Sequence, residues 1–521
     1  MNTTEFLSIA NAICPDRDAI VFEGKRFTFS QLNERVNRLA NALIGLGVKK
    51  GDRVALLHVN CNQCVEAYFA VAKIGGIYVP LNFRAKANEL TYMINTAEVL
   101  TLFVGQRYLE LIDSIRGQLG TVANYISIDG PHEGMLSYEE LLASASDEEV
   151  FTEIDDDDIT ILMYTAGTTG FPKGVMLPHR SFSVYVLENV TPADPAIEER
   201  TILTVPLYHV AGIQAMMAAV YGGRTLVMER QFEPTEWMQL VQDEKVSRAM
   251  MVPTMLKQLM DHPDFARYDL SSLRVITYGA APMPLPVIRR ALEVFPGVAF
   301  INAFGQTETA STITTLGPED HIISGTEEER EKKLKRLSSI GRPMSDVEMR
   351  VVDENNNPLP PYEVGEIVAR GPRVMAGYWK EDEKTARTID KDGWVHTGDM
   401  GYVDEDGYFF LAGRTSDMII RGGENISPEE VEAVLHQHEK IEDAAVIGVP
   451  DEEWGEVPVC VVVLKEGQTA TEEEIIEHCR VALASYKRPR EVKFVKELPR
   501  NQLGKVLKRQ LREQFGGKAN K

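Results

Sequence analysis

The stretch Ile159-Thr-Ile-Leu-Met-Tyr-Thr-Ala-Gly-Thr-Thr-Gly-Phe-Pro-Lys-Gly174 joins a short apolar run to a glycine-rich loop. The run Ile159–Met163 is a strand candidate. In the loop, glycines let the backbone approach a ligand closely, and successive N–H groups with threonine hydroxyls can surround phosphate oxygens. Lys173 adds a mobile positive charge. The stretch therefore predicts a strand ending in a phosphate-binding loop, although its spacing differs from that of the P-loop.

Helix and strand patterns alternate on both sides of this stretch. Leu32, Val36, Leu39 and Leu43 recur at helical spacing, and Val54–Val59 is typical of a buried strand. The alternation continues to about residue 310. It predicts parallel sheets whose faces are covered by helices.

The pattern changes after about residue 340, where strand candidates become short and turn-rich segments separate them. These candidates are Met349–Val352, Glu366–Ala369 and Tyr408–Leu411. They predict a small β-rich unit over residues 340–413. The charged run Glu327–Arg336, which precedes the unit, favours a solvated helix or loop.

The last hundred or so residues predict a separate α+β domain. Ser427-Pro-Glu-Glu430 is typical of a helix start, with Ser427 as N-cap, proline in the first turn and Glu430 closing a capping box. Ala444–Val449 and Val457–Leu464 are strand candidates. We expect one domain over residues 1–415 and a second over residues 416–521.

Composition narrows the class of protein. The 521 residues include 78 acidic and 55 basic side chains, a net charge of −23 that disfavours binding to nucleic acid. We find no apolar run long enough for a membrane span and no signal-peptide pattern. The five cysteines, an odd and sparse set, argue against a disulfide framework and for a reducing cytoplasm. For Cys61-Asn-Gln-Cys64, structural packing is favoured over zinc or redox chemistry.

The loop at Tyr164–Gly174 resembles the phosphate loop of the adenylate-forming superfamily, in particular its AMP-forming acyl-CoA synthetases, with Ala166 where serine is usual. Further family motifs follow in order over nearly the whole chain: Gly279-Ala-Ala-Pro282, Asn302–Glu308, Thr397-Gly-Asp399 and Asn501–Lys505. The resemblance implies an α/β plus α+β fold. A large N-terminal adenylation domain of helix-covered parallel sheets, with a small β-barrel-like subdomain, precedes a small mobile C-terminal domain.

The resemblance also implies an ATP site. The residues expected at ATP or AMP are Thr165, Gly167, Thr168, Thr169, Gly170, Lys173, Gly279, Ala280, Ala281, Asn302, Ala303, Phe304, Gly305, Thr307, Glu308, Asp399, Arg414 and Lys505. We expect Glu308, with Thr165, to hold Mg²⁺, because a carboxylate beside a triphosphate needs a cation between them. Asp399 suits the ribose hydroxyls, since it accepts hydrogen bonds. Lys505 is expected to bridge the attacking carboxylate and the α-phosphate.

Three further regions follow from the resemblance. The expected acyl pocket comprises His209, Val210, Ala211, Gly212, Gly279 and Ala303, with His209 in a positioning role. The expected coenzyme A contacts are Gly422, Gly423, Glu424, Trp454, Tyr486, Arg488, Arg490 and Arg84, which serve equally well as surface structure. Ser416 is the expected hinge between the two domains.

The expected reaction converts a carboxylic acid, ATP and coenzyme A into acyl-CoA, AMP and diphosphate through an acyl-adenylate. Small or apolar pocket residues predict a hydrophobic acid, with a medium- or long-chain fatty acid preferred. A small aromatic or alicyclic acid stays open, as does an acyl-AMP ligase serving a carrier protein. Nothing in the sequence suggests a luciferase-like oxygenase, and the intact set of Lys505, Glu308 and Asp399 speaks against a non-catalytic nucleotide- or acyl-binding relative. A homodimer is common among such relatives.

Overall fold

The computed structural model describes residues 1–165, 172–414, 417–421, 424–451, 454–483, 485–501 and 504–516. None of the helices in these ranges is long and apolar enough to cross a membrane.

Helices and strands alternate through the N-terminal part. Its helices are α1 (Glu5–Ile13), α2 (Phe29–Gly45), α3 (Asn62–Lys73), α4 (Ala87–Thr96), α5 (Leu109–Ile115), α6 (Tyr138–Ser144), α7 (His179–Asn189), α8 (Val210–Tyr221), α9 (Pro234–Asp243), α10 (Pro253–Asp261), α11 (Leu285–Val294) and α12 (Glu327–Arg336). Its strands are β1 (Asp18–Phe22), β2 (Lys25–Thr28), β3 (Arg53–Leu57), β4 (Ile77–Pro80), β5 (Val99–Val104), β6 (Asn124–Ser127), β7 (Leu136–Ser137), β8 (Ile159–Thr165), β9 (Lys173–Pro178), β10 (Arg200–Leu203), β11 (Thr225–Met228), β12 (Arg248–Met251), β13 (Val275–Gly279), β14 (Ala299–Gln306), β15 (Ser311–Leu316) and β16 (Arg342–Pro343).

Later elements are shorter. They are β17 (Glu348–Val352), β18 (Gly365–Arg370), β19 (Gly377–Tyr378), α13 (Asp382–Thr388), β20 (Val395–Val403) and β21 (Phe409–Arg414). The C-terminal part contains β22 (Ile419–Arg421), β23 (Glu424–Ile426), α14 (Pro428–Leu435), β24 (Ile441–Asp451), β25 (Gly455–Leu464), α15 (Glu472–Ala482), β26 (Glu491–Phe494) and α16 (Lys508–Phe515).

Two largely parallel sheets form the N-terminal part, as the alternation predicts. The first has the order β16-β15-β14-β13-β12-β10-β11-β1-β2, and the second has the order β19-β9-β8-β4-β3-β5-β6-β7. Strands β15, β16 and β2 of the first sheet, and β9 and β19 of the second, are antiparallel additions at the edges. Apolar side chains of both sheets and of helices α2, α3 and α8 form one shared core.

Helix α2 shows how the local sequence produces this packing. Thr28 caps the helix by accepting a hydrogen bond from the Gln31 N–H, and the Gln31 side chain accepts in return from the Thr28 N–H. The predicted stripe of Leu32, Val36 and Leu39 is fully buried in the shared core. Spacing in the sequence therefore decides which face of α2 meets the sheets.

The β-rich unit and the C-terminal domain also follow the predicted fold class. Strands β17, β18, β20 and β21 form an antiparallel sheet, and β22–β26 form a mixed sheet that packs against α14, α15 and α16. Ser427 caps α14 as predicted, accepting a hydrogen bond from the Glu430 N–H. The Glu430 side chain, however, accepts hydrogen bonds from Lys487, so an ion pair occupies the carboxylate expected to close the capping box.

The Cys61 and Cys64 thiols are buried at the start of α3, with their sulfur atoms 3.4 Å apart. Burial raises the pKa of the Cys61 thiol well above its usual value, which keeps it protonated. The pair therefore packs in the apolar core as two thiols.

Candidate active site

Strands β8 and β9 place the first predicted phosphate contacts. They pair antiparallel, with Thr165 opposite Lys173. The Thr165 hydroxyl is buried and has no hydrogen-bond partner among the described residues. Gly167, Thr168, Thr169 and Gly170, which were predicted from the connecting loop, lie outside the described residues.

Lys173, Glu308 and Tyr378 form a tight polar cluster. The Lys173 ammonium lies 2.8 Å from a Glu308 carboxylate oxygen and donates to the Tyr378 hydroxyl at 2.6 Å. Tyr378 in turn donates to the same Glu308 oxygen at 2.8 Å. Burial alone raises the pKa of Glu308, but Lys173 and the two hydrogen bonds outweigh it, so the pKa lies below its usual value. Glu308 is therefore an ionised carboxylate beside Lys173 of β9, a predicted phosphate contact.

Tyr378 was missed by the sequence reasoning. It lies on the two-residue strand β19, which pairs with β9. This pairing of the backbones places the Tyr378 side chain next to Lys173 and Glu308. The Met375 N–H also donates to the Glu308 carbonyl at 2.9 Å. The only feature of the sequence around it is the aromatic pair Tyr378-Trp379 in a turn-rich segment. Such a segment has no periodic pattern from which the partners of Tyr378 could be predicted.

We expect Tyr378→Phe to lower kcat/KM for ATP by about five- to tenfold, because one hydroxyl holds both Lys173 and Glu308. Pyrophosphate release at varied ATP measures the change. Tyr362→Phe, on an exposed tyrosine elsewhere, is the matched control and should match the wild type. ATP kinetics unaltered by Tyr378→Phe would show that Lys173 and Glu308 hold their positions without it.

The predicted adenine strip lies where β13 and β14 pair. Gly279 is opposite Ala303, and a Cβ at position 279 would stand 2.1 Å from the Ala303 carbonyl oxygen. Only glycine therefore allows this approach. Ala280 follows with a φ of +65°, a left-handed conformation that turns the chain away from β13.

The other predicted residues of this region follow on the same two segments. Ala281 is partly buried just after β13, and Asn302 donates from its amide to the Ser339 carbonyl at 3.2 Å. Phe304 and Gly305 continue β14, and Thr307 begins a short 3-10 turn that also contains Glu308. Strand β14 therefore connects the adenine strip to the Lys173–Glu308 cluster.

Asp399 and Arg414, which were predicted to contact the nucleotide, lie side by side. They are opposite each other on β20 and β21, and the Arg414 Nε lies 2.9 Å from an Asp399 oxygen. Asp399 is only 6% exposed, and burial raises its pKa although the Arg414 cation opposes the shift. The pair presents one acceptor and one cation side by side.

The C-terminal domain brings Lys505 to this pair. The Lys505 side chain keeps contact with solvent, yet the surrounding protein lowers its pKa, the Arg414 cation lowers it further, and Asp399 opposes both. A hydrogen bond of 2.9 Å from the Lys505 N–H to the Asn501 side chain fixes the turn that carries it. The predicted catalytic lysine and the predicted ribose carboxylate, distant in sequence, therefore share one electrostatic environment.

Contacts between the domains hold this arrangement. Lys257 of α10 pairs with Glu442 of β24 at 2.6 Å. A Cβ at Gly504 would lie 2.4 Å from the Thr254 hydroxyl of α10, and Gly504 has a φ of +72°, so the lysine turn needs glycine here for two reasons. Helix α10 is therefore the surface on which the Lys505 turn rests.

His209 occupies the N-cap position of α8 without a capping hydrogen bond from its side chain, and the next residues, Val210, Ala211 and Gly212, form the first buried turn of that helix. Burial lowers the pKa of His209 to about 4, so the ring is neutral near pH 7. A Cβ at Gly212 would stand 2.5 Å from the Pro206 carbonyl oxygen. A neutral ring suits the predicted positioning role better than a charged one.

Most predicted coenzyme A contacts share one face of the C-terminal domain. Arg421 lies over the Trp454 ring at 5.5 Å and donates to the Tyr486 carbonyl at 2.9 Å. Arg488 donates to the Leu483 carbonyl, and Arg490 pairs with Asp451 at 3.2 Å. Glu424 lies on β23, opposite Arg421. Trp454 is 41% exposed, so its ring is open to solvent.

The remaining residues predicted to contact coenzyme A, and the predicted hinge residue, do not lie on this face or are not described by the structure. Arg84 belongs to the N-terminal domain, where it lies 5.8 Å from the Phe83 ring, which packs edge-on against Tyr208 beside His209. Gly422, Gly423 and the hinge residue Ser416 lie outside the described residues. The structure therefore places Arg84 beside the aromatic pair of Phe83 and Tyr208, next to the predicted acyl-pocket residue His209.

The chain matches two family models. Residues 8–379 match the AMP-binding enzyme family, and residues 430–505 match the AMP-binding enzyme C-terminal domain. Among curated proteins, it is 36% identical over 504 residues to a feruloyl-CoA synthase from Amycolatopsis sp., covering 96% of each chain. It is 34% identical over 499 residues to the long-chain-fatty-acid–CoA ligase FadD13 of Mycobacterium tuberculosis, covering 94% of this chain and 93% of that one.

A solved structure shares the arrangement of the whole chain. The anthranilate CoA ligase AuaEII in complex with anthranoyl-AMP superposes with a TM-score of 0.89 at 29% identity, over 99% of this chain and 97% of that one. Relatives that act on fatty acids and relatives that act on aromatic acids are thus similar to this chain to nearly the same degree.

Proposed function

The chain belongs to the AMP-binding enzyme family and is an AMP-forming acid–thiol ligase, and on that premise we propose that it joins a hydrophobic carboxylic acid to coenzyme A. The observation that carries the proposal is that Lys505 shares an electrostatic environment with Asp399 and Arg414, and that Glu308, the ion-pair partner of Lys173, also acts on Asp399. The cations Lys505 and Lys173 suit a reaction in which two anions must meet.

The first step is attack of the acid carboxylate on the α-phosphate of ATP, with pyrophosphate leaving. Asp399 accepts hydrogen bonds from the ribose and fixes the nucleotide. Lys505 stands between the carboxylate and the α-phosphate and offsets the negative charge that builds up there. Lys173 contacts the departing phosphates, and strand β9 keeps it in place.

Magnesium is implied by the family resemblance, and the residues fit it. Glu308 offers an ionised oxygen, and the orphaned Thr165 hydroxyl lies on the strand paired with Lys173. Among the described residues no group of three or more His, Cys, Asp or Glu side chains could hold a metal. We therefore propose that Glu308 and Thr165 supply only part of the ligand set, as suits an ion that binds chiefly through substrate phosphates. When bound, Mg²⁺ neutralises phosphate charge.

The second step transfers the acyl group to the coenzyme A thiol. The exposed face around Arg421 and Trp454 combines an aromatic surface with cations, which suits a nucleotide with phosphates. Because Trp454 is exposed while Lys505 of the same domain shares the electrostatic environment of Asp399 and Arg414, we propose that the C-terminal domain rotates about Ser416 between the steps. The domain boundary at residues 415 and 416 belongs to this proposal.

The acid is proposed to carry one carboxylate on an apolar body. Val210, Ala211 and Gly212 are apolar or small and buried, which supports a hydrophobic ligand. The sequence-based preference for a medium- or long-chain fatty acid stays a prediction, supported by the similarity to FadD13. The 36% identical feruloyl-CoA synthase supports an aryl acid as the second candidate.

The test is pyrophosphate release over a panel of fatty and aryl acids, each with and without coenzyme A. We expect at least one acid to give release that accelerates with coenzyme A, with acyl-CoA and AMP as products. Stoichiometric release that is indifferent to coenzyme A would point to a carrier-protein acceptor instead. Absence of release with every acid, under conditions where a known ligase turns over, would contradict the proposal.

A further inference from the structure

Gln214 is a polar side chain on the face of α8 that forms the predicted acyl pocket. It lies three and four residues after Ala211 and Val210, so the three share one side of the helix. Gln214 is only 5% exposed. Its Nε2, which carries two N–H donors, is buried and has no hydrogen-bond partner among the described residues.

The other end of the same amide is firmly held. The Thr312 hydroxyl donates to Gln214 Oε1 at 3.0 Å. Thr312 is opposite Gly305 on the neighbouring strand β14, and its carbonyl accepts a hydrogen bond from the buried Arg373. Since one end of the amide is anchored between α8 and β15, the unpaired end has a fixed direction.

The position of this amide matches the far end of a short acid. Gln214 is five residues along α8 from His209, about 7.5 Å at 1.5 Å per residue. With the carboxylate near His209 and Lys505, an acid that carries a ring and a polar atom beyond the ring reaches this depth. Gly279 and Ala303, the other predicted pocket residues, are paired on β13 and β14.

The unpaired amide nitrogen of Gln214 favours some classes of acid over others. A buried amide without a partner is unfavourable, and an aliphatic chain gives it none. A phenolic hydroxyl both accepts and donates, so it satisfies the amide whichever way the nitrogen and oxygen are assigned. Sites that hydrogen-bond a substrate hydroxyl reject the analogue that lacks it, because their own polar group is then left unpaired.

We propose that Gln214, held by Thr312, is the specificity-determining residue of the acyl pocket and selects acids with a phenolic hydroxyl distal to the carboxylate. The inference rests on the proposed ligase function and narrows its acid to the hydroxyaryl class. It assigns Gln214 a binding role and gives it no part in the chemical steps.

The test compares 4-hydroxycinnamate with cinnamate, which differ only in that hydroxyl, using kcat/KM from pyrophosphate release with coenzyme A. We expect the wild type to prefer the hydroxy acid by about 10- to 100-fold. In Gln214→Leu, which keeps the volume but removes the amide, the ratio of the two kcat/KM values should fall to near one. Thr312→Val, which frees the amide, should lower the ratio in the same direction.

Controls separate specificity from folding and from the ligase function itself. Gln239→Leu changes an exposed glutamine on α9 that bonds Asp243, and its ratio should equal that of the wild type. Thermal unfolding shows whether each variant folds. Equal wild-type turnover of the two acids, or a ratio unchanged in Gln214→Leu, would overturn the inference. Efficient turnover of decanoate with neither cinnamate active would overturn it while leaving the ligase function intact.

Discussion

Replacement of Lys505 by alanine is expected to lower the rate of acyl-adenylate formation by about a hundred- to a thousandfold. In the proposed mechanism the Lys505 ammonium, whose pKa both Asp399 and Arg414 influence, stands between the carboxylate and the α-phosphate, so its removal leaves their mutual repulsion without a counter-charge. Single-turnover formation of the adenylate, with ATP and acid saturating, measures the loss directly.

The second half-reaction supplies the internal control for Lys505. Synthetic acyl-adenylate with coenzyme A should give acyl-CoA at nearly the wild-type rate in Lys505→Ala, because no phosphate is attacked in that step. Arg509→Ala is the matched control, since Arg509 is exposed on α16 in an ion pair with Glu513 one turn away. Equal losses in both half-reactions would show instead that Lys505 matters for domain docking.

Local pattern was enough to predict the framework of the fold. The α2 stripe, the strand Ile159–Met163 and the Ser427 cap all depend on residues within a few positions of one another, and such signals survive in the sequence. The predicted strand Val54–Val59 is displaced slightly, to Arg53–Leu57, because its end depends on pairing with β4 and β5. The parallel sheets follow from the regular alternation of such elements.

Long-range pairing decided what the sequence could not predict. Tyr378 reaches Glu308 only because β19 joins the edge of the second sheet beside β9, and a two-residue strand has no periodic signal. Glu430 meets Lys487 across the C-terminal domain, which displaces the expected capping box. The unpaired amide of Gln214 depends on Thr312 from another strand. In each case the deciding partner is far away in the chain.

Glu308→Gln is expected to lower kcat/KM for ATP by about a hundredfold. Glutamine keeps the shape of the side chain but removes the anionic oxygen proposed for Mg²⁺, a cation that prefers charged oxygen ligands. It also leaves Lys173, 20% exposed, without its carboxylate partner, which costs about 3 kcal/mol in folding stability for a pair this buried. Pyrophosphate release at varied Mg²⁺ and thermal unfolding measure the two effects separately.

Lys173→Met distinguishes the metal role of Glu308 from its role as a partner of Lys173. If Glu308 binds Mg²⁺, the Mg²⁺ concentration for half-maximal rate rises in Glu308→Gln and in the double variant, but not in Lys173→Met. If Glu308 serves only to neutralise Lys173, removal of both charges recovers the lost stability and the Mg²⁺ dependence stays that of the wild type in all three variants. The geometry favours the first outcome: Tyr378 and Lys173 both bind the same Glu308 oxygen, which leaves the second oxygen for a cation on the phosphates.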